Sequence, residues 1–244
     1  MPPKLSLVRH AEGFHNVDGA VYIRDAVLTE KGISQCRNLR DNFPYHNAVE
    51  LVLASPMRRT IQTAVLSFGP TLARADVPFL VIPQAQEASD LPCDTGHSLD
   101  ELQKMLPQIL PDDFDVSKIN MDAVEDGWNS KTGYWAFEHV ALKQRAADLR
   151  SWLFRRQEQH ILLVTHGAFL HYLTEDWTGD DPNRGTAYLN CEVRQFQFTP
   201  SSTENVAHIQ ETVESQKSRG ASVPEHDPHV LDELERVSSK ESNA

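Results

Sequence analysis

Leu7-Val8-Arg9-His10-Ala11-Glu12 is the stretch that decides the fold, and its pattern returns near the other end of the chain as Ile161-Leu162-Leu163-Val164-Thr165-His166-Gly167. In each stretch a short apolar run ends in a histidine. Such runs are typical of strands that are buried on both faces of a parallel sheet. Ligands of open α/β sheets bind beyond the carboxyl ends of the strands. The repeated pattern therefore predicts a sheet that brings His10 and His166 to one site.

The rest of the chain alternates between strand and helix patterns. Besides 5–9 and 161–165, strands are predicted at 51–54, 79–82 and 193–198, the last at a sheet edge because its polar and apolar residues alternate. Helices are predicted at 33–43 with Thr29 as N-cap, from Ser55 and Pro56 onward with Ser55 as N-cap, at 98–110 and at 137–157. This alternation predicts an α/β fold, a three-layer α/β/α arrangement with a mostly parallel central sheet.

Two segments depart from this rhythm. Residues 92–135 contain the aromatic stretch Gly127-Trp128-Asn129-Ser130-Lys131-Thr132-Gly133-Tyr134-Trp135, which we interpret as an inserted cap whose rings suit a substrate with an apolar part. The alternative is a peripheral satellite cluster. The cap would belong to a single domain at 1–199.

Residues 200–244 are rich in Ser, Glu and Lys, which predicts a disordered tail with a short helix near 230–237.

Charge and composition narrow the class of partner. The formal net charge of −12 over 244 residues argues against nucleic acid and against an anionic membrane. No apolar run approaches the roughly 20 residues that span a bilayer, and the chain enters its first strand at once, so we expect a cytoplasmic protein. Cys36, Cys93 and Cys191 are widely spaced and form no C-x-x-C pair, which favours reduced, structural cysteines.

The residues at the strand ends are those that phosphate chemistry requires. Arg9 can bind two phosphate oxygens with its planar fork, and a neutral imidazole at His10 can attack phosphorus without a separate base. Asn16 follows in a polar loop. Arg59 lies in the first turn of a helix, where the positive end of the helix dipole already favours an anion. The site is therefore expected to bind a small phosphorylated or anionic molecule.

Two further positions complete the predicted site. Glu87 follows the strand at 79–82 and could protonate a leaving group, with Asp90 as its rival. His166 is expected to donate a hydrogen bond to a phosphoryl oxygen, and Gly167 lets backbone N–H groups approach the ligand closely.

Other interpretations of these residues remain open at this point. The histidines could cap strands in the core, and the arginines could form a solvated basic turn. Glu12 and His15 have an E-x-x-H spacing, but it does not match the usual zinc arrangement on one helix face, so no metal and no cofactor are predicted.

Together these motifs resemble the histidine phosphatase superfamily in its phosphoglycerate mutase-like branch, and especially a fungal and plant group within it. The resemblance covers roughly 4–198. It rests on Leu-Val-Arg9-His10-Ala-Glu with Asn16, Leu28-Thr-Glu-Lys-Gly32, Ser55-Pro-Met-Arg-Arg59-Thr-Ile-Gln-Thr-Ala64, Glu87 and Val164-Thr-His166-Gly167.

The resemblance implies a metal-independent phosphohistidine mechanism on a sheet with helices on both faces. His10 would become phosphorylated, while Arg9, Arg59 and His166 hold the phosphoryl oxygens. Glu87 would protonate the leaving alcohol and then activate water, and Asn16 would line the pocket.

Two departures from the family pattern bear on the activity. Ala11 replaces the glycine of the usual Arg-His-Gly motif, which an alanine tolerates if its φ is negative. Glu87 is followed by Ala-Ser-Asp instead of the Arg-His-Tyr-Gly of cofactor-dependent mutases. The leading prediction is a phosphomonoester hydrolase. The alternatives are a mutase-type phosphotransferase and a repurposed member that binds an anion or performs acid/base chemistry without phosphoryl transfer.

Overall fold

A computed structural model describes residues 1–175, 187–218 and 227–241 of the chain. Its strands are β1 Lys4–Arg9, β2 Leu51–Ala54, β3 Phe79–Val81, β4 Ile119–Asn120, β5 His160–Thr165, β6 Val193–Phe198 and β7 Ile209–Glu211. Its α-helices are α1 Glu30–Asn42, α2 Arg58–Leu72, α3 Leu99–Ile109, α4 His139–Phe154, α5 Gly167–Leu173, α6 Val213–Ser218 and α7 Pro228–Glu241. None of the helices within the described ranges is long and apolar enough to cross a membrane.

The strands form one mixed, mostly parallel sheet in the order β4-β3-β2-β5-β1-β6-β7. β1 and β5 are adjacent and parallel, with Val8 opposite Val164 and Arg9 opposite Thr165. Because this register makes the two strands end at the same level, the residues that follow them emerge side by side. The two histidine-terminated strands, which were predicted to lie in one parallel sheet, are direct neighbours in it.

Helices cover both faces of the sheet, as the three-layer prediction requires. Alternate residues of each buried strand point to opposite faces, so Leu5 and Leu7 pack with α4, α5 and α7. Val8 lies on the other face, in a cluster with residues of α2 and α3. Each face of the central strands is therefore buried, which explains why their sequences are continuously apolar.

One helix start agrees with the sequence prediction and another does not. Thr29 caps α1, since its side chain accepts a hydrogen bond from the backbone N–H of Gly32. Ser55 was the predicted cap of the next helix, but α2 begins at Arg58 with Met57 as its N-cap. The Ser55 hydroxyl instead lies 2.9 Å from Nε2 of His166.

Strand β6 is not an edge strand, contrary to the prediction. β1 pairs with it on one side and β7 on the other, both antiparallel. Its alternating pattern arises because Phe196 and Phe198 lie on its buried face, whereas Gln195 and Gln197 lie on a partly exposed one. Gln195 also accepts a hydrogen bond from Ser6. A half-polar strand with two neighbours cannot be distinguished from an edge strand by alternation alone.

The described part of the segment after residue 200 holds β7 and α6 where a disordered tail was expected, and α7 includes and extends the short helix that was predicted near 230–237. α7 buries Val230, Leu234 and Val237 against the α4/α5 face. Their i, i+4, i+7 spacing places them on one side of the helix. The polar residues between these positions lower the average hydrophobicity of the segment, and composition therefore favoured disorder.

The segment at 92–135 packs into the domain. β4 extends the sheet by pairing with β3. The ring of Trp128 is buried beside Gly96, in the same core cluster as Met57. The Tyr134 hydroxyl donates a hydrogen bond to Asp148 on α4. The expectation that these rings face a substrate is therefore wrong for Trp128, because its side chain fills the core.

Candidate active site

His10 lies directly after β1 and is 1% exposed. Its Nδ1 is 2.7 Å from the carbonyl oxygen of Ala11. A carbonyl can only accept a hydrogen bond, so Nδ1 carries the proton of the neutral ring and Nε2 keeps a free lone pair. Burial, followed by the positive charges of Arg59 and Arg9, lowers the pKa of His10 well below its ordinary value. The ring is therefore neutral, with a nucleophilic nitrogen.

Arg9 reaches the end of the sheet beside α5. Its Nη1 donates to the carbonyl of Tyr188 at 2.7 Å, and its Nη2 donates to the Asp227 carboxylate immediately before α7. A side chain at Gly167 would place its Cβ 3.2 Å from Nε of Arg9 and 2.6 Å from Val230. Glycine at this position is required by the close approach of the guanidinium and of α7.

Arg59 is fully buried in the first turn of α2. Its Nη1 donates to the carbonyl of Cys93 at 2.7 Å, and its Nη2 donates to the Asp94 carboxylate at 2.8 Å. Burial opposes its charge, but the neighbouring carboxylate of Asp94 raises the pKa of Arg59. The adjacent Arg58 has a structural role, because its backbone N–H and guanidinium bind Asp25.

His166 is the N-cap of α5, and its ring centroid lies 5.2 Å from that of His10. Its Nε2 shares a hydrogen bond with Ser55, while its buried Nδ1 meets no partner among the described residues. Burial and the charge of Arg59 lower the pKa of His166 well below its ordinary value. The structure thus joins two neutral imidazoles and two guanidinium groups at one edge of the sheet.

Glu87 completes this group from the loop after β3. Its Oε1 accepts hydrogen bonds from the backbone N–H groups of Ala88 and Phe169, both at 2.8 Å. Burial and the negative charge of Asp94 raise the pKa of Glu87. Its rival Asp90 is exposed. A carboxyl group that retains its proton above the ordinary range suits a general acid.

Asn16 and Ala11 shape the loop after His10. The Oδ1 of Asn16 accepts the backbone N–H of Gly13 at 3.0 Å, and its buried Nδ2 meets no acceptor in the described ranges. That N–H group remains available to an anion. Ala11 does not have a positive φ, so its methyl group causes no backbone strain.

Comparison with known proteins identifies the family. A sequence model of the histidine phosphatase superfamily (branch 1) matches residues 5–210. The chain belongs to this superfamily.

Two relatives illustrate the range of histidine phosphatases that the chain resembles. It is 32% identical over 233 residues to a phosphoglycerate mutase-like protein of Arabidopsis thaliana, across 79% of this chain and 83% of that protein. It is 28% identical over 200 residues to a probable phosphatase of Schizosaccharomyces pombe, across 81% and 86% of the two chains. The fold is similar to that of a mycobacterial glucosyl-3-phosphoglycerate phosphatase, with a TM-score of 0.52, 17% identity and coverage of 86% and 98%.

Several groups at this histidine phosphatase site were not predicted from the sequence. Asp94 and Lys131 come from the segment at 92–135. Asp94 binds Arg59, and the Lys131 ammonium donates to the carbonyl of Glu87 at 3.1 Å. Burial and the charge of Arg145 lower the pKa of Lys131 to about 8. Both residues lie in segments that the sequence pattern set apart, but nothing in the local sequence assigns a role to either side chain.

The C-terminal helix α7 covers the site. Arg9, His10 and Glu87 are each at most 2% exposed, and Arg59 and His166 are not exposed at all. Asp227 binds Arg9, and the ring of His229 lies 5.3 Å from that of His15. This is a closed arrangement, in which a phosphate could reach the guanidinium of Arg9 only if Asp227 moved away.

Proposed function

We propose that this protein is a metal-independent phosphomonoester hydrolase that acts on a small-molecule phosphate through a phosphohistidine at His10. The observation that carries the proposal is the hydrogen bond from Nδ1 of His10 to the Ala11 carbonyl. It fixes the tautomer in which Nε2 can attack, beside the positive charges that a phosphoryl group requires. Arg9 and Arg59 supply the charge that a metal ion would otherwise provide.

The first chemical step transfers the phosphoryl group to the enzyme. Nε2 of His10 forms a bond to phosphorus as the ester P–O bond breaks. Glu87 gives its proton to the leaving oxygen, and its raised pKa keeps that proton available. Arg9, Arg59 and His166 bind the non-bridging oxygens, whose negative charge they stabilise in the transition state.

The second step returns the enzyme to its starting state. The Glu87 carboxylate removes a proton from water, the water oxygen bonds to phosphorus, and the N–P bond to His10 breaks. Inorganic phosphate leaves and Glu87 is protonated again. Both steps require α7 to move, because Asp227 occupies the guanidinium fork in the closed arrangement.

A second candidate is a mutase-type phosphotransferase, and the closed arrangement of α7 favours it. A helix that covers the site would protect a phosphohistidine from water until a second acceptor arrived. The two activities differ in the fate of the phosphoryl group, which goes to water in a hydrolase and to a second hydroxyl group in a mutase.

The test is hydrolysis of a chromogenic aryl phosphate in excess chelator, combined with rapid acid-free quenching to trap a phosphoenzyme. We expect wild type to turn over and to carry phosphate on His10, and His10→Ala to lose both. His208→Ala is the matched control, since His208 lies in the loop before β7 and contacts Glu175. Activity in His10→Ala that matches wild type would contradict the proposal. Transfer to an added alcohol in preference to water would favour the mutase.

A further inference from the structure

A group of metal-type ligands lies between α7 and the loop that carries Asp94. Sγ of Cys93, a carboxylate oxygen of Asp94 and a ring nitrogen of His229 all lie within 4.8 Å of one another. Sγ of Cys93 is 3.9 Å from Nε2 of His229. No step of the proposed reaction uses Cys93 or His229.

Glu233 adds a fourth group to the same place. It lies one turn after His229 on α7, so both side chains point to the same side of the helix. Its Oε1 is 3.4 Å from Nε2 of His229. The side chain is fully buried, and its carboxyl group shares a hydrogen bond with the carboxyl group of Asp94. Two carboxyl groups in contact in the interior repel each other when both are ionised, and a cation between them would compensate that repulsion.

The spacing of these atoms is close to that of a tetrahedral zinc site. Zinc lies about 2.0–2.3 Å from nitrogen, oxygen and sulfur ligands, which places neighbouring ligand atoms about 3.3–3.8 Å apart. The separations of 3.9 Å and 3.4 Å around His229 need little adjustment to meet this range. Thiolate and imidazole ligands favour zinc over magnesium or calcium, which prefer oxygen.

We propose that Cys93, His229 and Glu233 bind a zinc ion, with Asp94 beside it. Asp94 already accepts hydrogen bonds from Arg59 and Ser89. It therefore either lies next to the ligands without binding the metal or supplies the fourth ligand. On binding, Cys93 and Glu233 each release a proton, and their two negative charges balance the charge of the metal. Zinc affinity should therefore rise with pH.

The metal would act on the position of α7. Cys93 belongs to the body of the domain, while His229 and Glu233 belong to the helix that covers the site. Zinc would therefore hold the helix in the arrangement in which Asp227 binds Arg9. We expect zinc to slow phosphate-ester turnover, which makes the site inhibitory and separate from the reaction itself.

The test is a titration of the chelator-treated full chain with cobalt(II), which substitutes for zinc and gives a charge-transfer absorption band with a thiolate ligand. We expect one equivalent of cobalt to produce the band and one equivalent of zinc to remove it. Cys93→Ser should abolish the band. His229→Ala and Glu233→Gln should weaken binding by at least about 10-fold, as the loss of groups around a metal does. Cys36→Ser is the control, because Cys36 is equally buried but lies on α1.

The readout does not depend on turnover, so it remains valid if the proposed phosphatase activity fails. Absence of the band in a folded wild-type chain would overturn the zinc site. So would a band that survives Cys93→Ser and disappears in Cys36→Ser, because the metal would then bind the Cys36–Cys191 pair, whose sulfur atoms are 4.0 Å apart. If Cys93→Ser does not fold, the two α7 variants decide, and cobalt affinity equal to wild type in both contradicts the proposal.

Discussion

The surroundings of Glu87 and His10 set the expected pH dependence of the proposed reaction. His10 must be neutral to attack, and its pKa is lowered by burial and by Arg59. Glu87 must be protonated to act as the acid, and its pKa is raised by burial and by Asp94. Activity should therefore rise as pH passes the lowered pKa of His10 and fall as pH passes the raised pKa of Glu87.

Glu87→Gln tests whether the fall in activity at higher pH comes from the loss of the Glu87 proton. The amide has no proton to give, so we expect kcat/KM for an alkyl phosphate to fall by about 10²–10⁴ and its decline at higher pH to disappear. An aryl phosphate with an acidic leaving group needs little protonation and should lose much less. Equal losses with the two substrates, measured in steady-state pH profiles, would remove Glu87 from the role of acid.

Arg59 and Asp94 form a fully buried ion pair, and we expect Arg59 to contribute both to the stability of the fold and to the activity. Arg59→Ala leaves the Asp94 carboxylate without its partner, and we expect a loss of about 3–5 kcal/mol in the free energy of unfolding. It also removes a donor to the phosphoryl group, which should lower kcat/KM by about 10²–10³. Arg59→Ala with Asp94→Ala should recover stability but not activity. Recovery of both in denaturant unfolding and kinetic assays would show that Arg59 acts only as a structural partner.

At the scale of elements, α7 packs on the domain through an apolar face, and an ion pair between Asp227 and Arg9 precedes its first turn. Leu234 is buried on the α4/α5 side, whereas Leu231 on the same helix is 37% exposed. Asp227 fixes the start of the helix, since its carboxylate accepts the backbone N–H of His229 and binds Arg9. Because α7 joins the domain through one buried face, it should separate from the domain without unfolding it.

Leu234→Ala should shift α7 toward an open arrangement. Truncation of a buried leucine removes about 2–5 kcal/mol, and each 1.4 kcal/mol is tenfold in an equilibrium. We expect faster amide exchange confined to 227–241 and a higher kcat/KM, with Leu231→Ala unchanged in both. Slower turnover together with faster exchange in Leu234→Ala would mean that α7 assists the reaction instead of blocking it.

The elements that the sequence predicts most directly are the strands in which consecutive residues are apolar because the whole strand is buried. β1 and β5 are continuously apolar, and the histidines after them are fixed by the ends of those strands. The apolar positions of α7 are spaced by helical turns within a polar segment, which predicted a short helix near 230–237 but not its full length or its packing on the domain. Asp94 joins Arg59 through a contact between separate segments, and no local pattern indicates such a pairing. Pairs of charged residues from separate segments, such as Asp94 and Arg59, could therefore be identified only from the structure.

At the scale of the whole molecule, one ligand should stabilise the domain and loosen its C-terminal helix. If Arg9 binds phosphate as proposed, inorganic phosphate should compete with Asp227 for its guanidinium group. At about 100 times its Kd, phosphate should add about 2.7 kcal/mol to the free energy of unfolding, and Tm should rise by about 2–4 °C per kcal/mol. Amide exchange in 227–241 should become faster at the same concentration.

Sulfate-free buffer of equal ionic strength is the control for the effect of salt. In Asp227→Asn, phosphate should still stabilise the domain, but amide exchange in α7 should no longer respond to it. If phosphate protects α7 in wild type, the helix closes over the bound anion, and Asp227 does not compete with the substrate for Arg9.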